Sequence, residues 1–201
     1  MDSKSLALTA AILTTMTAPA FGQAHANPRV ELTIGTSITR PAVTELGTLY
    51  GNALLGIDTQ GTVRLNDANV EVFAGAAITA GHGDGVEVFG RSDFAGEVDF
   101  RQLTFRFGIG RGIVRGSWTV HMAGGLRFDI YRERLDSDRV EVSGHAAGLL
   151  GQLAVRRRIG ERLGIFGRAD LSHPFTVSFD AGLGGTGRVG LALGLGLAFL
   201  F

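Results

Sequence analysis

The sequence predicts an all-β fold: an eight-stranded antiparallel up-and-down transmembrane β-barrel. Three observations carry that prediction. Residues 188–201, RVGLALGLGLAFLF, alternate between large apolar side chains (Val189, Leu191, Leu193, Leu195, Leu197, Phe199, Phe201) and small ones (Gly190, Ala192, Gly194, Gly196, Ala198). A period of two is a strand, because successive side chains point to opposite faces. Such an apolar edge aggregates in water unless it is covered, and a closed barrel with lipid outside covers it. Second, seven further segments alternate in the same way. Third, their connections alternate in length: long at 40–52, 80–96, 132–139 and 172–187, short at 64–67, 110–116 and 158–162. Short turns at one end and longer loops at the other are the pattern of an outer-membrane barrel.

Composition narrows the alternatives. Lys+Arg and Asp+Glu both number 19, so charge gives no case for nucleic acid. Glycine is 31 of 201 residues without a triplet period, which excludes collagen. The absence of cysteine removes disulfides, thiolate metal sites and cysteine nucleophiles, and suits passage through an oxidising compartment. After residue 26 no run of 18 apolar residues occurs, so no spanning helix is expected. Residues 1–26 read as a secretory signal: Lys4 in a weak positive region, an apolar stretch over 6–20, then small residues that offer cleavage after Ala20, Ala24 or Ala26. The barrel is expected to occupy 27–201.

The first strand is expected over about 29–39, with Val30, Leu32, Ile34, Thr36 and Ile38 on the outer face. The second covers about 53–63, with Leu55 and Ile57 outward and Asp58 and Gln60 inward. The third covers 68–79, with Val70, Val72 and Ile78 opposed to Glu71 and Phe73. The fourth covers 97–109; Val98 and Phe100 break the parity of Leu103, Phe105, Phe107 and Ile109, and a bulge near Arg101-Gln102 or an upstream half outside the bilayer accounts for it. The fifth, after the turn at 110–116, alternates from Trp118 to Tyr131. The sixth covers 140–157 and changes parity between Val142 and Leu149, which a bulge near Ala147-Gly148 explains. The seventh covers 163–171, and a loop containing His173-Pro174 leads to the eighth. Phe107, Trp118, Phe199 and Phe201 are expected to form an aromatic girdle at the periplasmic interface.

The inner face collects Arg29, Glu31, Asp58, Arg64, Glu71, Arg106, Arg127, Asp129, Glu141, Arg156, Arg168, Asp170 and Arg188. Unpaired charges in a narrow lumen are costly, so Arg–carboxylate networks are expected to fill it. A gated polar path and a buried acid–base site are the other readings of the same residues. His121 and His145 are expected inward; His82 and His173 lie in loops, and no metal-binding spacing occurs. His82, Asp84 and Glu87 could hold a cation weakly, but read better as a solvated loop. The G-x-G-x-x-G match at 185–190 lacks the helix a dinucleotide requires, since a strand follows it. No catalytic, cofactor-binding or metal residue is assigned.

A signal peptide, eight alternating segments and a terminal strand ending in Phe201 resemble the small outer-membrane barrel superfamily that includes the OmpA transmembrane domain and the OmpX and OmpW groups. The resemblance implies a monomer in a Gram-negative outer membrane, in contact with outer-membrane lipid and lipopolysaccharide. It also implies that Phe201, Phe199, Leu197 and Leu195 serve as the signal read by the barrel assembly machinery. No peptidoglycan-binding domain is expected after the barrel. Some members of that superfamily modify lipid A, and the deacylase branch carries a His-x-Ser-Asn arrangement. Ser172-His173-Pro174-Phe175 lacks the serine two residues after the histidine, and Ser178 is five away. The expected role is structural or surface-interacting, with a narrow channel for small solutes as the alternative and a lipid-modifying enzyme third.

Overall fold

The computed structural model describes residues 30–40, 53–65, 69–84, 97–135, 141–179 and 189–201. They form eight strands: β1 (Val30–Arg40), β2 (Leu54–Arg64), β3 (Val70–Asp84), β4 (Glu97–Arg115), β5 (Trp118–Leu135), β6 (Glu141–Arg158), β7 (Leu163–Phe179) and β8 (Gly190–Leu200). Each pairs antiparallel with its sequence neighbour, and β8 pairs with β1 to close the barrel. Val30 and Phe201 exchange backbone hydrogen bonds of 3.3 and 2.9 Å at that seam. Closure leaves no unpaired edge. The partners of Val30 run through Val63, Val72, Ile109, Gly124, Gly151, Leu171 and Leu191 and return to the first strand at Arg40. A closed sheet must be staggered in this way, and the stagger tilts the strands.

The faces are those expected from the alternation. On β8, Leu193 and Leu195 are 51% and 69% exposed while Ala192 and Ala198 are buried. Exposed Ile34, Ile57, Ile78, Ile109, Met122 and Leu153 continue the outer apolar surface across other strands. Inside, an eight-stranded barrel is just wide enough for side chains to fill. That explains the bare inner face of β8. A Cβ placed on Gly196 would lie 2.8 Å from the Phe166 ring, and one on Gly108 would lie 2.7 Å from the Phe73 ring. Each ring lies over the glycine opposite it on the neighbouring strand.

Several strands run beyond their expected ends. β4 continues to Arg115 and meets β5 through a two-residue turn, Gly116-Ser117, with Gly116 at φ 60°. A positive φ at the first turn residue is the arrangement of a type II′ hairpin, which glycine adopts without strain. Phe107 therefore sits mid-strand opposite Leu126, away from the rim, whereas Trp118, Phe199 and Phe201 are at the strand ends. β7 continues to Phe179 through Pro174, a segment expected to be loop.

The two expected bulges resolve differently. β4 pairs without interruption with β3 and β5, so Arg101-Gln102 carries no bulge. Phe100 simply points inward, 1% exposed, while Asp99 and Arg101 point outward. The apolar and polar faces exchange because this end of β4 lies above the apolar belt. The register shift at Ala147/Gly148 is present, but the extra residue is Phe175 on β7, between the partners Pro174 and Thr176. A bulge is where a strand tolerates proline. β6 itself keeps one parity against β5, which turns Leu150 inward and His145 outward, opposite Ile130. The expected inward placement of His145 is thus overturned, and its ring stacks on Phe128 at 6.3 Å.

Leu195 lies on the outer belt, and an Asp there puts a charge against lipid at a cost on the order of a few kcal/mol. Leu195→Asp should therefore abolish the heat-modifiable band on electrophoresis of unboiled membranes, while Leu195→Ile retains it. A normal folded band from the Asp variant would show that this face does not meet lipid.

Candidate functional site

The chemistry of this chain is concentrated in the lumen, where inward positions of seven strands, β1 to β7, place polar side chains in three tiers. The middle tier joins β2, β4 and β7. Arg106 bridges Asp58 Oδ2 at 2.5 Å and Asp170 Oδ2 at 2.6 Å. Arg168 also donates to both carboxylates, through Nε to Asp170 Oδ2 at 3.1 Å and through Nη2 to Asp58 Oδ2. All four side chains are at most 2% exposed. Two guanidinium groups and two carboxylates thus cross-link opposite walls with no net charge.

Toward the long-loop end, Asp129 accepts from Arg127 Nε (2.9 Å), Thr104 Oγ1 (2.6 Å) and Gln102 Nε2 (2.7 Å). Arg127 Nη1 also donates to Ser172 Oγ at 3.3 Å. Above this tier Phe100 stacks on Tyr131 at 6.0 Å, and Leu54 at the start of β2 is fully buried.

Toward the short-turn end, Arg64 donates to Glu71 at 3.1 Å, and Glu71 Oε2 lies 2.6 Å from His121 Nδ1. Glu31 pairs with Arg156, whose Nη2 donates to Thr119 Oγ1 at 2.8 Å. His121 Nε2 stands 3.9 Å from Glu31 Oε2. Between this tier and the middle one, Gln60 and Gln152 exchange two amide hydrogen bonds of 3.0 Å across the lumen. A cavity of about 30 Å³ lies here, lined by Glu31, Gln60, Glu71, His121, Gln152 and Arg156 among others. That volume suits about two water molecules.

Ten of the inner-face residues read from the sequence are brought into these tiers: five arginines (Arg64, Arg106, Arg127, Arg156, Arg168) and five carboxylates (Glu31, Asp58, Glu71, Asp129, Asp170). Arg29, Arg188 and the side chain of Glu141 lie outside the described residues, as do the signal segment and Glu87. His82 and Asp84 fall at the end of β3. Ser172 and His173 point to opposite faces, one buried and one exposed, so they form no hydrolytic pair. Among the described residues no three His, Asp or Glu side chains converge in a way that could hold a metal. Sequence reasoning missed the Gln60–Gln152 link and the Phe100–Tyr131 stack. The inward parity of Gln60 was visible, but its partner 92 residues away was not.

No family model and no curated protein matches the sequence. Solved structures do match. Ail, the attachment invasion locus protein of Yersinia pestis, aligns with TM-score 0.58 and 13% identity over 88% of this chain and all of that one. Its complex with the heparin analogue sucrose octasulfate aligns with TM-score 0.60 and 12% identity over the same shares. A major outer membrane protein of Thermus thermophilus gives 0.58 and 14%, again over 88% of this chain and all of that one. This chain has the fold of the small outer-membrane barrels. Like them it is a closed eight-stranded antiparallel barrel, and here an apolar exterior encloses an ion-paired lumen.

The Phe100–Tyr131 stack is buried toward the long-loop end of that lumen. Phe100→Ala should lower the urea unfolding free energy in detergent micelles by about 3–5 kcal/mol, the usual cost of removing a buried Phe ring. An unchanged midpoint would mean that the ring is not packed.

Proposed function

We propose that this chain is an integral protein of a Gram-negative outer membrane with a structural and surface-contacting role, its lumen serving as a core and not as a passage. The observation that carries this reading is the neutral quartet of Asp58, Asp170, Arg106 and Arg168, which spans the barrel from three strands with its side chains at most 2% exposed. Charges cross-linked in this way leave no net charge in the lumen to replace an ion's water. Residues 1–26 act as the export signal, the barrel begins at residue 27, and the terminal strand through Phe201 is the segment read by the assembly machinery. The short turns then face the periplasm and the long loops the exterior.

At the outer end, Arg40, Arg101 and Arg132 are exposed beyond the apolar belt, and Arg101 and Arg132 are direct cross-strand partners. An exposed guanidinium at that level offers paired donors to an anionic neighbour. Lipopolysaccharide phosphates supply one at that level, and the complex of Ail with a polysulfated sugar is a precedent for anionic ligands on an eight-stranded barrel. The reading assigns no reaction and a monomeric state.

Planar-bilayer recording tests the closed lumen. The purified barrel should give no unitary conductance steps above the bare-membrane baseline. Reproducible steps that change when Gln60 and Gln152 are both replaced by alanine would establish the alternative, a narrow channel.

A further inference from the structure

Among the described strand residues, the outward charge at the short-turn rim is confined to one side. Across β7, β8, β1, β2 and β3 the outward residues near that end are apolar: Leu163, Phe199, Phe201, Val63, Leu65 and Val70. The sector built from β4, β5 and β6 differs. Arg111, Arg115, Arg157 and Arg158 are all exposed there, with Arg162 in the following turn. Glu161 is the one carboxylate of this sector among the described residues. The cations are not scattered. Arg115 is the cross-strand partner of Trp118, and Trp118 is the partner of Arg157, so one row reads Arg–Trp–Arg over three adjacent strands. The Arg157 guanidinium lies 5.3 Å from the centroid of the Trp118 ring, which is 47% exposed. The next outward row toward the belt is Ile113, Val120 and Val155, and above it come Met122 and Leu153, with Arg111 as the β4 member of that row.

From this arrangement we infer that the Arg115–Trp118–Arg157 row is a binding site for the headgroup of an anionic glycerophospholipid in the leaflet at the short-turn end. Resting on the membrane reading above, it adds a lipid preference to it. The match has three parts. An indole settles at the headgroup level, where its ring is apolar and its N–H is wet. Guanidinium groups on both flanks offer paired donors to phosphate oxygens, which an ammonium does not. The apolar lane from Ile113 and Val155 to Met122 and Leu153 continues into the belt at the place where acyl chains descend from that headgroup. A zwitterionic headgroup brings its own cation and so compensates the arginines less. An anionic one leaves its phosphate charge to them, and each basic side chain near a membrane surface favours anionic lipid by about fivefold.

Trp118 is the only tryptophan in the chain, so it reports on this site directly. The full barrel is refolded into phosphatidylcholine vesicles doped with either brominated phosphatidylglycerol or brominated phosphatidylcholine, and quenching of Trp118 is followed against mole fraction. Half-maximal quenching should need at least about fivefold less brominated phosphatidylglycerol than brominated phosphatidylcholine, the effect of a single arginine being about fivefold. Arg115→Gln, which leaves the Arg157–Trp118 contact in place, should reduce the preference, and Arg115→Gln with Arg157→Gln should remove it. Arg101→Gln at the opposite rim should leave it unchanged. Equal quenching by the two lipids would overturn the site while keeping the barrel in the bilayer. So would a preference that survives the double variant, since it would then come from surface potential alone. No quenching by either lipid would overturn both the site and the membrane reading.

Discussion

Asp58 and Asp170 each accept from the same two guanidinium groups, and the rest of the barrel is arranged around the need to keep that lumen neutral. Eight strands enclose an interior only wide enough for side chains, so a charge placed there has a partner or it has nothing. Breaking a buried pair by removing one member is far more costly than the pair is favourable, because the survivor is left without water or counter-charge. Each described tier therefore balances: Arg127 with Asp129, the central quartet within itself, and Arg64 and Arg156 with Glu71 and Glu31. The links of Arg106 to Asp58 and Asp170, of Arg168 to Asp58 and of Arg156 to Glu31 run between strands distant in sequence, so they also tie the walls together.

Polar filling on the inside obliges the outside to be apolar. A water-soluble barrel packs its greasy residues inward and gains its stability from that burial. Here the burial falls to charge pairs, amide pairs and a few aromatic rings, while Leu193 and Leu195 stand exposed. Such an exterior is stable against hydrocarbon and unstable in water. The glycine content belongs to the same constraint. Phe73 and Phe166 have room inside only because Gly108 and Gly196 oppose them.

Much of this is legible in the sequence because a period of two is a local signal. The strand count, the order of pairing, the outer residues of the terminal strand and the inward direction of Glu31, Asp58, Glu71, Arg106, Arg127 and Arg168 follow from parity alone. What parity does not carry is where a strand leaves the bilayer or where its partner is irregular. Phe100 looked misplaced because apolar residues are expected to point outward, a rule that holds only within the belt. His145 and Pro174 were misread for a related reason: the bulge lies on β7, and the sequence of β6 shows only its consequence. The Gln60–Gln152 pair was hidden because the stagger that aligns two distant strands across a lumen is a property of the closed barrel.

The central claim is that charge balance, and not any single contact, holds the lumen together. Urea unfolding of the refolded barrel in detergent micelles tests it with three variants: D58N with D170N, R106Q with R168Q, and all four together. Each unbalanced pair leaves two buried like charges and should lose at least about 3–5 kcal/mol. The fourfold neutral variant should recover most of that loss. A fourfold variant as unstable as the sum of the two pairs would contradict the account, because the four residues would then contribute independently of one another's charge.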